Sequence, residues 1–320
     1  MSAPEPLVTI GIPTYNRAHG TLALALRSAL HQTYPRIEVV VSDNCSTDDT
    51  PQLMAGIDDP RFRYVRHQQN LGANGNFNAC LDAARGDYFL LLHDDDLIDP
   101  DFVETCVAAI PENRSVGVIR SGMRIIDAAG ETVQTLENRS RATTVEEFVI
   151  DWLEGRTSVY FCNNLLNTEA VRSIGGFGTR HDLFQDAVAY VRVTAAHGCV
   201  NVPDVKASFR RHDSNMGGAA LLRNWCEDSL EVLDTISEFA PDPAIRKRAK
   251  AFLCRVNYGY AASLDSPWQR LKGYRLVSRY FDASEPALRY AYRHDIRPRL
   301  RAFKRRLTGA RQGTPDSRTS

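Results

Sequence analysis

Three consecutive carboxylates, Asp94, Asp95 and Asp96, follow His93 in the stretch DYFLLLHDDDLIDPD from Asp87 to Asp101. Adjacent carboxylates repel by roughly 3 kcal/mol at about 5.5 Å with an effective dielectric near 20. A fold holds them together at low cost only where water or a cation screens them. One reading is a solvated acidic loop. The other is a divalent-metal site, because hard oxygen ligands suit Mg²⁺ or Mn²⁺, which bridge the phosphates of a nucleotide. The flanks favour the metal. Tyr88 to Leu92 is an unbroken apolar run, as in a strand buried on both faces of a parallel sheet. Asp99-Pro100-Asp101 has the form of an N-cap, a proline at the first helical position and a first-turn acid. A buried strand thus delivers three acids to its C-terminal edge, where open α/β sheets bind ligands.

The elements that must position this edge alternate along the first hundred residues. Leu7 to Ile12 is a short apolar strand stopped by Pro13, and Leu22, Leu26 and Leu30 repeat at helical spacing behind it. Ile37 to Val41 is a second strand rich in β-branched residues, ending on Ser42-Asp43-Asn44. Phe62 to Arg66 alternates as a third. Asn74 to Arg85 reads as a helix with Phe77 and Leu81 on one face, stopped by Gly86. Three strand–helix repeats with short connections predict a parallel α/β sheet flanked by helices. Further on, the pattern predicts a strand over Val116 to Ile126, a helix over Thr144 to Leu153, a helix over Asp182 to Ala196 and a last strand over Val205 to Arg210. The chain is helical from Leu221 onward, with a break at Pro241–Pro243.

Composition narrows the class. Hydrophobic residues at 43% and charged residues at 24% are ordinary for a soluble globular protein. Seven cysteines without a C-x-x-C pair argue against a disulfide framework or a zinc ribbon and fit a reducing cytosol. No signal-type N-terminus and no membrane-length apolar run is present. Neither G-x-x-x-x-G-K nor G-x-G-x-x-G occurs, which weakens ATPase and dehydrogenase readings. The net charge of zero hides an asymmetry: Arg293 to Ser320 holds nine Lys and Arg against two Asp. A basic segment on an acidic body points to an anionic partner.

Taken in order, VTIGIPTYNR, IEVVVSDNCSTDDT, NLGANGNFNACLDAARGDY and FLLLHDDDLIDP resemble the family 2 glycosyltransferases over roughly Leu7 to Asn215. The resemblance implies a GT-A fold, a Rossmann-like, mostly parallel sheet flanked by helices, with a helical C-terminal extension. It implies an inverting transfer from a nucleotide-sugar, UDP- or dTDP-linked. On the donor side it places Pro13, Tyr15, Arg17, Asp43, Asn44, Asn78, Asp94 and Asp95, with Tyr15 beside the base and Asp43 accepting from its ring N–H. It assigns a divalent metal, Mn or Mg, to Asp95 and His212. His93 stands where many members have the first acid of D-x-D. This departure leaves it with Asp96, Gln185, Arg210 and Arg211 on the acceptor or phosphate side. In GGFGTRHDLFQDAVAY, Asp186 matches the general base and Gln185 replaces the usual glutamate.

Q-x-x-R-W and membrane spans are missing, so the resemblance points to single addition rather than polymerisation. Expected partners are the donor and a glycan, lipid-linked or small-molecule acceptor, with no nucleic acid. The location is cytoplasmic, and the basic helix over Arg289 to Leu307 either makes peripheral contact with the inner face of an anionic membrane or packs on the catalytic domain with its basic face in water. Expected boundaries are a catalytic domain over 1–218, divided near 100 into donor and acceptor halves, a helical region over 219–308 and a disordered tail over 309–320. Two rival functions use the same residues: a non-catalytic nucleotide-sugar-binding module, and a sugar nucleotidyltransferase, for which PTYNRAHG is a poor phosphate loop.

Overall fold

The computed structural model describes residues 5–112, 116–211, 219–282, 289, 290, 292, 293 and 297. The first part runs as expected: β1 (Val8–Thr14), α1 (Leu22–Leu30), β2 (Ile37–Asp43), α2 (Thr50–Ala55), β3 (Phe62–Arg66), α3 (Gly72–Ala83) and β4 (Tyr88–Leu91). The strands pair in the order β3-β2-β1-β4, all parallel. Every residue of β1 and β4 is buried. Leu22, Ala25, Leu26 and Ala29 form the buried stripe of α1. β1 lies between β2 and β4, so the chain passes from β1 to a strand on one side of it in the sheet and from β4 onward to strands on the other. That is the switch point at which open α/β sheets form a ligand crevice.

The second part is more mixed: β5 (Leu97–Ile98), α4 (Phe102–Ala108), β6 (Val118–Ile126), β7 (Thr132–Leu136), α5 (Val145–Leu153), β8 (Asn164–Asn167), α6 (Thr168–Ser173), α7 (Gln185–His197) and β9 (Cys199–Arg210). Beyond β4 the sheet continues β8-β6-β9-β5, with β7 off this path on β6. β8 is antiparallel to both of its neighbours, and β6 and β9 are parallel. The Asp99-Pro100-Asp101 cap is not as the sequence predicts. Leu97 and Ile98 pair with β9, and α4 starts only at Phe102. Asp99 and Asp101 instead bind Arg124 and Lys206, each at 2.5 Å. The helix expected from Asp182 begins at Gln185, since Asp182 and Phe184 hold positive φ. The last strand starts at Cys199 rather than Val205, and β5, β7, β8 and α6 are too short to stand out from the sequence.

Three helices follow: α8 (Ala219–Phe239), α9 (Pro243–Ala262) and α10 (Pro267–Phe281). The chain forms two compact units, Met1–Asn215 with Asp228–Ala249, and Met216–Glu227 with Lys250–Ser320. Most of the expected helix over Arg289 to Leu307, and all of the tail over 309–320, lie outside the described residues. All seven cysteines are free. No helix among the described residues is long and apolar enough to cross a membrane.

The turn into β4 is tight. A Cβ on Gly86 would lie 2.6 Å from the Thr9 amide nitrogen and 2.8 Å from the Leu7 carbonyl. In contrast, nothing lies within 4 Å of a Cβ on Gly259, inside α9. Gly86→Ala is expected to destabilise the protein by about 1–3 kcal/mol through overpacking. Gly259→Ala is expected to stabilise it by about 0.5–1 kcal/mol through helix propensity. Urea unfolding of the two variants checks the opposite signs.

Candidate functional site

The acidic run sits at the C-terminal end of β4 as a turn, with the Asp96 amide donating to the His93 carbonyl at 3.1 Å. Each acid meets a different environment. Asp94 accepts from Thr14 Oγ1 at 2.7 Å, and its carbonyl accepts from Thr21 Oγ1 at 2.8 Å. Burial pushes its carboxyl up to about 6, the neighbouring charge of Asp95 adding to the shift and the Thr14 bond opposing it. Asp96 is fully enclosed. Burial raises it well above the carboxylate range, although it accepts from the Arg210 amide at 2.9 Å. Asp95 keeps a partly exposed side chain.

His93, expected on the acceptor or phosphate side together with Asp96, lies beside these acids. One donor atom each from His93, Asp95 and Asp96 lie within 4.8 Å of one another. The imidazole stacks on Phe77 at 5.0 Å and tilts against Phe161 at 5.5 Å. Burial lowers its pKa, which favours the neutral ring with a lone pair; its Nε2 is buried without a hydrogen-bond partner among the described residues. A neutral imidazole with two carboxylates is a donor set that fits a first-row divalent ion such as Mn²⁺. The ring's Nδ1 lies 3.9 Å from an Asp96 oxygen, so the imidazole can share such an ion with the carboxylates. His212, the other expected ligand, lies outside the described residues.

The loops after β1 and β2 form the adjoining wall. The Asn16 amide donates to Ser46 Oγ at 2.9 Å, and the Thr47 amide donates to Asn16 Oδ1 at 2.8 Å, which locks the two loops together. Pro13 is buried within β1, whereas Tyr15 projects from this loop with 46% of its surface exposed. The Arg17 guanidinium reaches to 3.9 Å from Asp94. Asp43 is fully buried: one oxygen accepts from the Ser46 amide at 2.8 Å and the other from Tyr64 OH at 2.5 Å, with Arg66 3.7 Å away. Asn44 is also turned inward. It bonds Asn70, the Leu71 amide and the Gly72 carbonyl, and so shapes the entry to α3.

Asn78 is likewise committed inside the protein. Its amide donates to the Phe177 carbonyl at 2.7 Å and accepts from the Phe177 amide at 2.8 Å. Gly176 permits this approach; at φ +82°, its Cβ would fall 2.3 Å from Asn78 Oδ1. The loop between this turn and α7 is gathered by buried Asp228 of α8, which accepts from Thr179 Oγ1 at 2.6 Å and the Leu183 amide at 2.9 Å. Gln185 then opens α7, buried, with its Oε1 lacking a hydrogen-bond partner among the described residues. Asp186 follows in the first turn and accepts from the Ala187 amide at 2.8 Å. Burial pushes its carboxyl from 3.8 up to about 6, against the backbone hydrogen bonds.

The segment between α5 and β8 joins the two halves. The Tyr160 hydroxyl is raised first by burial and then by the charge of Asp186, with Asp96 adding and Arg211 opposing. Cys162 donates to Asp96. Thus Asp186 and Asp96 both lie within electrostatic reach of the Tyr160 hydroxyl, as does exposed Arg211. Arg210, expected near phosphate, is instead a buried strut donating to the carbonyls of Asp95, Asp127 and Ala128. Thr14, Phe77, Tyr160, Phe161 and Cys162 escape sequence reasoning. Thr14 alone had a signal, its place in the loop motif PTYNR.

A model described as glycosyl transferase family 2 matches residues 9–184. Among curated proteins, the succinoglycan biosynthesis protein ExoO of Rhizobium meliloti is 45% identical over 96 residues, 30% of this chain and 27% of that protein. The matched segment therefore spans under a third of that relative's length. Among solved structures, S. aureus TarS 1-349 in complex with UDP-GlcNAc superposes with a TM-score of 0.66 at 18% identity, covering 95% of this chain and 92% of that one. The mannosyltransferase PcManGT from Pyrobaculum calidifontis, in complex with GDP-Man and Mn²⁺, gives 0.54 at 20% identity, covering 89% and 78%. At such identities the likeness is one of fold, and the fold is of the expected GT-A type.

Asp186 gives a test of this geometry that needs no substrate. Its folded pKa of about 6 exceeds the ordinary 3.8, so the native state retains a proton that the unfolded state has lost. Stability falls as pH rises from about 4 to 6 and stays lowered above that. Asp186→Asn removes this cost. It is expected to be more stable than the parent by about 1–3 kcal/mol at pH 8 and equal to it below about pH 4. Chemical denaturation across that range checks it.

Proposed function

The chain belongs to glycosyl transferase family 2, and from that premise we propose that it moves one sugar from a nucleoside-diphosphate donor to an acceptor hydroxyl, with inversion at the anomeric carbon. The observation that carries this reading is the His93–Asp95–Asp96 cluster, with Asp186 and Asp96 both within electrostatic reach of the Tyr160 hydroxyl. An inverting displacement needs a base on the acceptor side and charge neutralisation on the leaving-group side. The donor classes of the structural neighbours, UDP-GlcNAc for TarS and GDP-Man for PcManGT, support a nucleotide-sugar here. A UDP- or dTDP-linked sugar is the donor we favour.

In this reading the exposed Tyr15 ring offers the stacking face for the base, and Arg17 and Arg211 supply cationic charge beside the diphosphate. Buried Asp43 holds Tyr64 and the Ser46 loop, and so shapes the base pocket. His93, Asp95 and Asp96 would hold Mn²⁺ or Mg²⁺. A divalent ion there supplies charge compensation for the departing diphosphate. Asp186 takes the proton of the acceptor hydroxyl as its oxygen bonds to the anomeric carbon and the bond to the diphosphate breaks. A carboxyl at about 6 is the stronger base for being raised, yet it remains mostly ionised at neutral pH. The acceptor is a saccharide, a lipid-linked glycan or a small molecule.

Release of nucleoside diphosphate from a panel of nucleotide-sugars, with Mn²⁺ and with chelator, tests the activity. Asp186→Asn is expected to lower turnover by about 10²–10⁴-fold with donor affinity unchanged. In the parent, turnover rises with pH through about 6, where Asp186 ionises. Equal loss of donor affinity makes Asp186 a binding residue instead. His93→Ala and Asp95→Ala are each expected to abolish the metal dependence of nucleotide binding measured by calorimetry. A retained metal effect in both removes them as ligands.

A further inference from the structure

No residue assigned above to the transfer lies on the outer face of α10. This helix is well defined: Ser266 caps it, accepting from the Gln269 amide at 3.1 Å, and Pro267 opens it. Gly273, Tyr274, Val277 and Phe281 are on its buried side. The opposite side carries Trp268, Lys272, Arg275 and Arg279, at helical spacings of four, three and four, and all four are exposed. Trp268 leaves 62% of its surface in solvent, with the Lys272 ammonium 5.9 Å from its ring centroid. None of the three cations makes an ion pair among the described residues. A cleft of about 280 Å³ beside this face is lined by Arg223, Leu276, Arg279 and Tyr280. The Tyr280 hydroxyl is committed to Glu227 at 2.8 Å, so the two guanidinium groups are the cleft's cationic lining.

The unit matches this face in sign. Its described residues hold ten Lys and Arg against three Asp and Glu, while the chain as a whole is neutral. An exposed tryptophan at one end of a cationic stripe is the combination that suits a lipid–water interface. The indole seats at headgroup depth, and the cations lie against anionic phosphates.

We propose that the Trp268–Arg279 face of α10 docks the protein peripherally on anionic phospholipid, with a headgroup phosphate between Arg223 and Arg279. The basic stretch over Arg289 to Leu307, for which the sequence alone gave membrane contact as one of two readings, is then an addition to this face rather than the anchor. The proposal is independent of the sugar donor and of Asp186.

The test is co-sedimentation of the full chain with phosphatidylcholine vesicles, with and without phosphatidylglycerol, at low and high salt. Binding is expected only with phosphatidylglycerol, and salt weakens it. Combined Lys272→Gln, Arg275→Gln and Arg279→Gln is expected to lower partitioning about 100-fold, near fivefold for each cation. Trp268→Ala is expected to weaken binding at both salt levels and to remove the blue shift of tryptophan emission on vesicle addition. These side chains are exposed, so both variants should melt like the parent; should the triple variant not fold, Trp268→Ala decides alone. The proposal is overturned if both variants bind as the parent does, or if binding is equal on pure phosphatidylcholine. It also fails if the parent self-associates without vesicles and Trp268→Ala abolishes that.

Discussion

Everything at the site depends on keeping four consecutive polar residues, His93 to Asp96, folded at the end of a strand whose own side chains are all buried. Left alone, three neighbouring carboxylates would repel one another and pull the turn toward water. Arg210 prevents this from below. Its Nε bonds the Asp95 carbonyl, its amide bonds Asp96, and its Nη1 ties the same turn to Asp127 and Ala128. Thr14 and Thr21 hold Asp94 from the other side. A lysine would supply the charge without the planar fork that reaches several carbonyls at once. The result is graded: Asp94 and Asp96 are raised by burial, while Asp95 keeps a partly exposed side chain.

The second half of the site is brought to that turn by polar clamps far apart in the chain. Asn78 holds the backbone at Phe177, and Asp228 gathers the loop that leads to Asp186. Underneath, fully buried Arg120 donates to Asn164 at 2.7 Å, and its guanidinium lies 4.2 Å from the Phe148 ring centroid and 5.7 Å from that of Tyr190. Asn164 and Tyr190 both donate to the Tyr160 carbonyl, at 2.6 and 2.9 Å. This network fixes the segment that carries Tyr160 and Cys162. Buried polar groups joined in this way specify one arrangement, although Nη1 and Nη2 of Arg120 have no hydrogen-bond partner among the described residues. The cation–π contacts offset part of the cost of burying the Arg120 charge.

By itself the sequence determined the alternation of strands and helices through β4, the buried strand that ends in acids, and the motifs that place the chain in its family. Those features rest on hydrophobic period, turn residues and short spacing, all of which are properties of near neighbours. Only the tertiary structure decided which polar residues face the site and which are spent inside. Asn44, Asn78 and Arg210 read as contacts for the donor or phosphate, yet distant backbone groups claim all three. His93 read as an outlier from D-x-D, yet it comes within 4.8 Å of Asp95 and Asp96. Asp186 owes its raised pKa to burial, which a loop pinned by Asp228, 42 positions later in the chain, helps to impose. A residue's partners in space depend on packing between remote segments, and no local pattern in the sequence encodes them.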